Sequence, residues 1–238
     1  MKAAFRDMHP SATRLRVLSM NLANGRAHLS AIQTLLEELV PDVVAAQQLS
    51  PPQAELVGRL LPFGKLDPAR DHTGMGIALR LPAMTWQLPM PYRAAYLAEI
   101  PLPERGSDGD AVEIINVHFA APHMQPVWRT LARRRGQLHA LLDYLDAVRR
   151  PRAVVGDFNA TPMWPVYRRL RARLADAAVE AARSRGVRPA RTWGLVSRSP
   201  RLLRIDHALV HAIRVLDVTV CPMPGSDHHA LVVDLARD

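Results

Sequence analysis

Short runs of apolar residues, each bounded by Gly, Pro, Asn or Asp, recur along the chain. Runs of this length, rich in β-branched residues and bounded in this way, are typical of β-strands. We therefore predict strands over Leu15 to Met20, Val43 to Ala46, Gly76 to Leu79, Ala95 to Ile100, Val112 to Phe119, Ala153 to Val155, Ile205 to Val210 and Ala230 to Leu235.

Three segments have the helical period instead. Over 28–40, apolar residues recur every three or four positions, and Pro41 ends the pattern. We predict a second helix over about 126–149, with Leu131 and the leucines after it facing inward and the arginines at 133–135 facing outward. The third predicted helix covers 166–174.

The order of these elements is not a regular βαβ alternation, because strands follow one another between residues 70 and 120 with few helices. Two packed sheets with helices outside suit this order. We expect residues 1–12 to be a flexible N-terminal segment and residues 13–238 to form a single domain.

The chain is strongly basic, with 31 Lys and Arg against 22 Asp and Glu and a formal net charge of +9. Nearly all of the cations are arginines, since Lys2 and Lys65 are the only lysines. Such a surface attracts polyanions, whether nucleic acid, anionic lipid headgroups or phosphorylated small molecules. Solvated helix faces and codon bias account for the same arginines, so charge alone does not identify the partner.

Neither cysteine usage nor hydropathy indicates export or a membrane span. Cys221 is the only cysteine, which rules out an internal disulfide and fits a reducing compartment. No stretch approaches 18 uncharged apolar residues, and the first residues lack an unbroken apolar run. We predict a cytoplasmic monomer without membrane insertion, because no exposed apolar segment suited to insertion is recognisable in the sequence.

Polar residues cluster where the apolar strands end. The strand at 153–155 continues into Gly156-Asp157-Phe158-Asn159, so a carboxylate and an amide two positions apart point to one side if the chain stays extended. A carboxylate can orient or deprotonate water, and an amide can donate to a phosphoryl oxygen. An Asx turn explains this triplet alone equally well.

Further polar residues occupy similar positions. His118 ends one strand, and Asp206 lies within another, where a buried carboxylate is costly unless it is paired or bound to a metal. Asp227 and His228 directly precede the last strand. A hydrogen bond between an Asp and a His there would fix the imidazole tautomer and raise its basicity.

As an ordered set, these motifs resemble the endonuclease/exonuclease/phosphatase superfamily. The resemblance runs from Asn21 through the segments 41–48 and 74–79 to His118, and on through 156–159 and 204–206 to the Ser-Asp-His at 226–228. It implies a DNase I-like fold, a four-layered α/β/β/α sandwich of two mixed β-sheets flanked by helices. It also implies a hydrolase of phosphoester bonds without a covalent enzyme intermediate.

The resemblance also implies a role for each site residue. Asn21, Gln48 and Asp227 are expected at a site for Mg²⁺ or Mn²⁺, and Asp157 is expected to handle the attacking water. Asn159 and His118 are expected to contact the scissile phosphate. Asp227 and His228 are expected to form a hydrogen-bonded pair, with Asp206 as a further acidic residue at the floor of the site.

The sequence departs from the family pattern at Gln48, where a glutamate usually binds the metal. An amide oxygen can still coordinate Mg²⁺, but the lost charge weakens the attraction for a hard cation. We therefore carry three hypotheses: a metal-dependent phosphodiesterase or nuclease acting on nucleic acid, a catalytically impaired module that binds nucleic acid or a phospho-ligand, and a hydrolase of small-molecule or lipid phosphoesters. Trp128, Trp164 and Trp193 are predicted near the motif-bearing ends, either to stack on a base or sugar or to pack as a lid.

Overall fold

Residues 14–101 and 111–236 are described by the computed structural model, and they form two six-stranded mixed β-sheets packed face to face with helices outside. This is the four-layered DNase I-like sandwich that the sequence predicts. The predicted flexible segment 1–12 lies outside the described residues.

The first sheet, sheet A, contains the strands nearest both ends of the described chain. Its order is β11-β12-β1-β2-β4-β3. The β1–β2 pair is parallel, and the other pairs in this sheet are antiparallel. These strands are β1 (Arg14–Asn21), β2 (Val43–Gln47), β3 (Phe63–Asp67), β4 (Met75–Leu79), β11 (Arg214–Cys221) and β12 (Ala230–Ala236).

The second sheet, sheet B, has the order β5-β6-β7-β8-β10-β9 and likewise contains one parallel pair, β7–β8. Its strands are β5 (Met84–Leu88), β6 (Ala95–Pro101), β7 (Ala111–His118), β8 (Arg152–Asp157), β9 (Ala175–Asp176) and β10 (Asp206–His211). The described helices are α1 (Leu29–Leu39), α2 (Pro51–Leu60), α3 (Val127–Ala147), α4 (Pro165–Arg171) and α5 (Ala177–Ser184).

Successive side chains along a strand point to opposite faces of the sheet. The core therefore has three apolar layers, one between the sheets and one on the outer face of each sheet. Val17 and Val43 of sheet A pack with Ile114 and Val155 of sheet B between the sheets. The intervening residues face outward, where α1 and α2 cover sheet A and α3 and α4 cover sheet B. The central strands are therefore apolar on both faces, which is why the sequence shows continuous apolar runs there.

Every predicted strand and helix is present, but several elements escaped prediction. Edge strand β3 is mostly exposed and has no apolar run. Helix α2 does have a recognisable signal, since Ser50 and Gln53 form a capping box ahead of its apolar face. In β11, Val218 and Val220 alternate with polar residues in the strand period.

Two predicted orientations on α3 are wrong. Leu131, expected inward, is exposed, and Arg134, expected outward, is buried. Arg134 donates to the carbonyls of Ala120 and Phe158, and its guanidinium lies 5.5 Å from the centre of the Trp164 ring. Backbone carbonyls of the loops that follow β7 and β8 need a donor, so this end of α3 turns an arginine inward.

A buried polar bridge joins the two sheets. The Gln47 side-chain amide on β2 donates to Asn116 Oδ1 on β7 over 2.7 Å. The Asn116 amide donates in turn to the carbonyls of Ala46 (3.0 Å) and Gly76 (2.7 Å). Because these hydrogen bonds cross an apolar interface, they favour one alignment of the sheets over others of equal apolar contact.

Asn116→Ala should lower the free energy of unfolding by about 2 kcal/mol or more, because it leaves buried donors and acceptors unpaired. Urea unfolding followed by circular dichroism measures the change. Gln33→Ala is the matched control, since its side-chain hydrogen bond to Glu37 is exposed and its loss should cost less than about 0.5 kcal/mol. Equal losses in the two variants would show that the bridge does not stabilise the fold.

Candidate active site

The predicted site residues meet where the parallel strands of both sheets end. In sheet A, Asn21 at the end of β1 is in register with Gln47. In sheet B, His118 at the end of β7 is in register with Asp157 at the end of β8. The two sheet ends touch, because the Asn21 side-chain amide donates to Asp157 Oδ2 over 3.0 Å.

An open cleft of about 560 Å³ lies over this junction. Most of the predicted site residues line it, whereas Asn21 and Asp206 are buried beneath its wall. The predicted residues in the cleft wall are Gln48, His118, Asp157, Asn159, Asp227 and His228.

Asp157 is at the centre of the hydrogen-bond network. Its Oδ1 accepts from the backbone N–H of Asn159 over 2.7 Å, and its Oδ2 accepts from the Asn159 side-chain amide over 3.0 Å. Asn159 has a left-handed backbone with φ 46°, so the two side chains meet through an Asx turn and not along an extended strand. The Asx turn, which the sequence offered as an alternative to a catalytic site, is therefore the structure that brings these two side chains together.

Burial raises the pKa of the Asp157 carboxyl to about 6, and the nearby Asp206 carboxylate adds to the rise while His228 opposes it. His118 Nε2 lies 3.5 Å from Asp157 Oδ2. Burial, together with the charges of Arg93 and His228, holds the pKa of His118 well below its usual range, so His118 is neutral at pH 7. A carboxylate with a pKa this close to neutrality can act as a general base.

The hydrogen-bond partner of His228 differs from the prediction. His228 Nδ1 lies 2.9 Å from Asp206 Oδ2. His228 is therefore paired with the first residue of β10 and not with the adjacent Asp227. Neighbours in sequence point in different directions here, and the Asp227 carboxylate instead accepts from Trp193 Nε1 (3.1 Å) and Arg26 Nη2 (3.2 Å).

Burial alone would lower the pKa of His228, but the carboxylates of Asp206 and Asp157 outweigh it and raise that pKa to about 9. His228 is therefore a buried imidazolium at pH 7, and its Nε2 lies 3.9 Å from Asp157 Oδ2. The junction thus holds a carboxylate that can accept a proton beside a cation that can donate one.

The sequence profile of the Endonuclease/Exonuclease/phosphatase family matches residues 18–228 of this chain. The chain belongs to this family. Members of the family are typically hydrolases that act on phosphoesters, and they generally depend on a divalent metal. A search of curated proteins finds no significant match.

Solved structures of the family share the fold at low identity. The endonuclease/exonuclease/phosphatase from Bacteroides vulgatus has a TM-score of 0.69 and 18% identity, over 95% of this chain and 100% of that one. The human Nocturnin catalytic domain with bound sulfate has a TM-score of 0.63 and 20% identity, over 93% and 94%. D. rerio TDP2 complexed with a single-stranded DNA product has a TM-score of 0.66 and 15% identity, over 94% and 99%.

The described site is suited to a divalent cation. Ligand atoms of Asp157, Asp206 and His228 lie within 4.8 Å of one another, and all three residues are buried. The cleft wall adds oxygens from Asp227 and Gln48, and carboxylate and amide oxygens are ligands that Mg²⁺ and Mn²⁺ accept. A protonated His228 cannot ligate, so the oxygen donors fit the ion better than the imidazole does.

Gln48 and Asn21, two of the predicted metal ligands, lie in different surroundings. Gln48, at the family's glutamate position, follows β2 with a left-handed backbone at φ 52° and is half-buried in the cleft wall. The Asn21 amide is already engaged, since its Oδ1 accepts from Ala23 N over 3.1 Å while its Nδ2 donates to Asp157. Asn21 therefore positions Asp157 in this arrangement.

Several residues of the cleft were not predicted. Arg26 and Trp193 hold Asp227, and Arg93 and His72 also line the wall. Trp193 was predicted near the motif-bearing ends and does line the cleft, but its hydrogen bond to Asp227 was not predicted. Nothing in the sequence distinguishes Arg26 or Arg93 from the other arginines. A buried arginine with a pKa lowered by burial, as at Arg93, becomes visible only once the fold is known.

Asp206→Asn should lower the pKa of His228 from about 9, since Asp206 makes the largest of the contributions that raise it against burial. NMR titration of the His228 ring in chelator-treated protein measures this. In the parent protein, the raised pKa adds stability that is complete below about pH 6.5 and is lost as the pH rises through about 9.

The matched control is Asp227→Asn, because the Asp227 charge is the smallest of the contributions that raise the pKa of His228. The pKa should then stay above its ordinary value. A larger drop in this control than in Asp206→Asn would restore the pairing predicted from the sequence.

Proposed function

We propose that this chain is a divalent-metal-dependent phosphodiesterase that hydrolyses its substrate by attack of water. The substrate class that we favour is nucleic acid. The observation that carries the proposal is the junction of Asp157 and His228. There, His228 Nε2 lies 3.9 Å from Asp157 Oδ2 at the base of an open cleft.

In the proposed reaction, Asp157 orients the attacking water and accepts its proton at a carboxylate oxygen. His228, held by Asp206, donates a hydrogen bond to a phosphoryl oxygen as negative charge builds there. Asn21 and Asn159 hold the Asp157 carboxylate through three hydrogen bonds. Neutral His118 lies close enough to Asp157 to contact the same phosphate.

Asp227 and Gln48 would hold the metal, together with an oxygen of Asp157. When bound, Mg²⁺ or Mn²⁺ neutralises phosphoryl charge and stabilises the leaving oxygen. The chain supplies further positive charge around the phosphate, because Arg26 and Arg93 line the same cleft. This charge attracts an anionic substrate, but it does not replace the attraction that a glutamate at position 48 would contribute to binding the ion.

Nucleic acid comes first among substrates for two reasons. The net charge of +9 favours a polyanion, and one structure of the same fold is of D. rerio TDP2 with a single-stranded DNA product. Gln48 supports a second candidate, a module that binds a phospho-ligand without cleaving it, since an amide contributes no formal charge to the metal site.

Asp157→Asn should reduce kcat at least about a hundredfold, because the amide cannot accept the water proton. Mg²⁺-dependent cleavage of bis(p-nitrophenyl) phosphate and of single- and double-stranded DNA measures the loss, and chelator should abolish cleavage by the parent. His228→Ala should show a loss of similar size. Undiminished turnover in either variant, or turnover in excess chelator, would contradict the mechanism.

Gln48→Glu should tighten Mg²⁺ binding about tenfold, since one more negative charge near the ion contributes about 1 kcal/mol or more even in a high-dielectric cleft. Titration calorimetry measures this without any substrate. Gln33→Glu makes the same change on the exposed face of α1 and should leave the affinity unchanged. If neither the parent nor Gln48→Glu cleaves any substrate while both bind DNA, the binding module is the correct function.

A further inference from the structure

Large apolar side chains are exposed close in sequence to residues of the cleft wall. They come from three separate segments, each of which also contributes residues to the cleft wall: 121–128, 161–164 and 193–203. The exposed residues are Trp128, Met163, Trp164, Leu195, Val196 and Leu202. An apolar group of this kind, collected from distant parts of the chain beside one opening, usually marks an interaction surface.

The 193–203 segment is a loop closed by hydrogen bonds. Trp193 and Leu203 form an antiparallel bridge at its base. The Arg201 guanidinium donates to the carbonyls of Val196 (3.2 Å), Ser197 (3.1 Å) and Ser199 (3.3 Å). Because Arg201 holds the loop from inside, the tip residues Leu195 and Val196 stay in solvent, with 69% and 60% of their surfaces exposed.

The same loop is fixed to the active site. Gly194 N donates to the Asp227 carbonyl over 3.0 Å, and Trp193 Nε1 donates to the Asp227 carboxylate. Arg201 also donates to the Ser226 carbonyl over 3.3 Å. The apolar tip therefore stands at a fixed position beside the residues that would bind the metal, and a surface that takes up the tip is held next to the cleft.

The other two segments supply the rest of the patch. Met163, 84% exposed, lies between Thr161 and Trp164, which both line the cleft. Trp128 lies in the first turn of α3, four residues after Met124 of the cleft wall, with the guanidinium of Arg129 over its ring at 5.0 Å.

The chemistry of the patch favours lipid over nucleic acid. Its two most exposed members are Met163 and Leu195, and these aliphatic side chains cannot stack on bases as aromatic rings do. Exposed arginines such as Arg129 and Arg198 stand among them. Aliphatic tips beside tryptophan and arginine suit the boundary between acyl chains and anionic headgroups.

We propose that the apolar rim formed by Trp128, Met163, Trp164, Leu195, Val196 and Leu202 docks on an anionic phospholipid bilayer, with the cleft opening toward the headgroups. This is contact with one leaflet, since no helix in the described ranges is long and apolar enough to cross a membrane. The expectation of no membrane insertion rested on linear segments, whereas this rim exists only after folding. Docking can occur whichever phosphoester the site cleaves.

The test is co-sedimentation with vesicles of phosphatidylglycerol and phosphatidylcholine, and with phosphatidylcholine alone. The parent should bind the anionic vesicles more tightly. The double variant Leu195→Ser/Val196→Ser should bind the anionic vesicles at least about tenfold more weakly, because two fewer aliphatic side chains are transferred from water into the bilayer. Met163→Ser, in a different segment, should weaken binding in the same direction, and Arg198→Gln should reduce the preference for anionic lipid.

The matched control is Leu81→Ser. Leu81 is 74% exposed and follows β4 at the end of sheet A away from the cleft, since Met75 at the start of β4 pairs with Gln47 and Leu79 with Val43. The Leu81→Ser variant should bind vesicles as tightly as the parent does. Circular dichroism should show all variants folded, and cleavage of bis(p-nitrophenyl) phosphate by the double variant should match the parent.

Two results would overturn the proposal. One is a parent protein that does not sediment with either vesicle, or a double variant that binds as tightly as Leu81→Ser. The other is a double variant that loses affinity for a labelled single-stranded oligonucleotide and not for vesicles, which would make the rim a nucleic-acid surface. Both measurements are made without turnover, so failure of the rim proposal is distinct from failure of the phosphodiesterase.

Discussion

The site depends on the alignment of two sheets whose described strands share no backbone hydrogen bonds. Sheet A supplies Asn21, and sheet B supplies Asp157, so the 3.0 Å contact between them exists only in one relative position. Apolar packing alone tolerates small slides between sheets, but the buried bridge from Gln47 to Asn116 does not, because a slide would leave its amides unpaired. A polar contact inside the core therefore determines the distances in the cleft above it.

Burial makes the bridge from Gln47 to Asn116 intolerant of displacement, and it also determines the protonation states of the site residues. Asp157, Asp206 and His228 are nearly inaccessible to water, so each ionises according to its neighbours. Two carboxylates and one imidazolium leave this group with a net negative charge, which suits a cation. Gln48 keeps the cleft less negative than a glutamate would, and Arg26 and Arg93 make it more receptive to an anionic substrate.

The fold, and the placement of most candidate site residues at one cleft, could be predicted because strand ends carry recognisable polar motifs after continuous apolar runs. What failed depends on side-chain direction. Asp227 precedes His228 directly, yet the imidazole reaches Asp206, which no sequence spacing indicates. Arg134 turned inward because loop carbonyls needed donors, and edge strand β3 lacks a buried face. The apolar rim was missed for a related reason, since its members are isolated residues until folding gathers them.

The topology of sheet A also bears on how the chain folds. Strand β1 lies between β2, its parallel neighbour, and β12, and the ion pair of Arg14 with Asp234 spans 220 residues. Closing so long a loop is entropically unfavourable before any of its contacts form, and such non-local pairing slows folding. Until β12 docks, β1 exposes an apolar edge that can pair with another chain. The strand that carries Asn21 is thus also vulnerable to misassembly while the chain is incomplete.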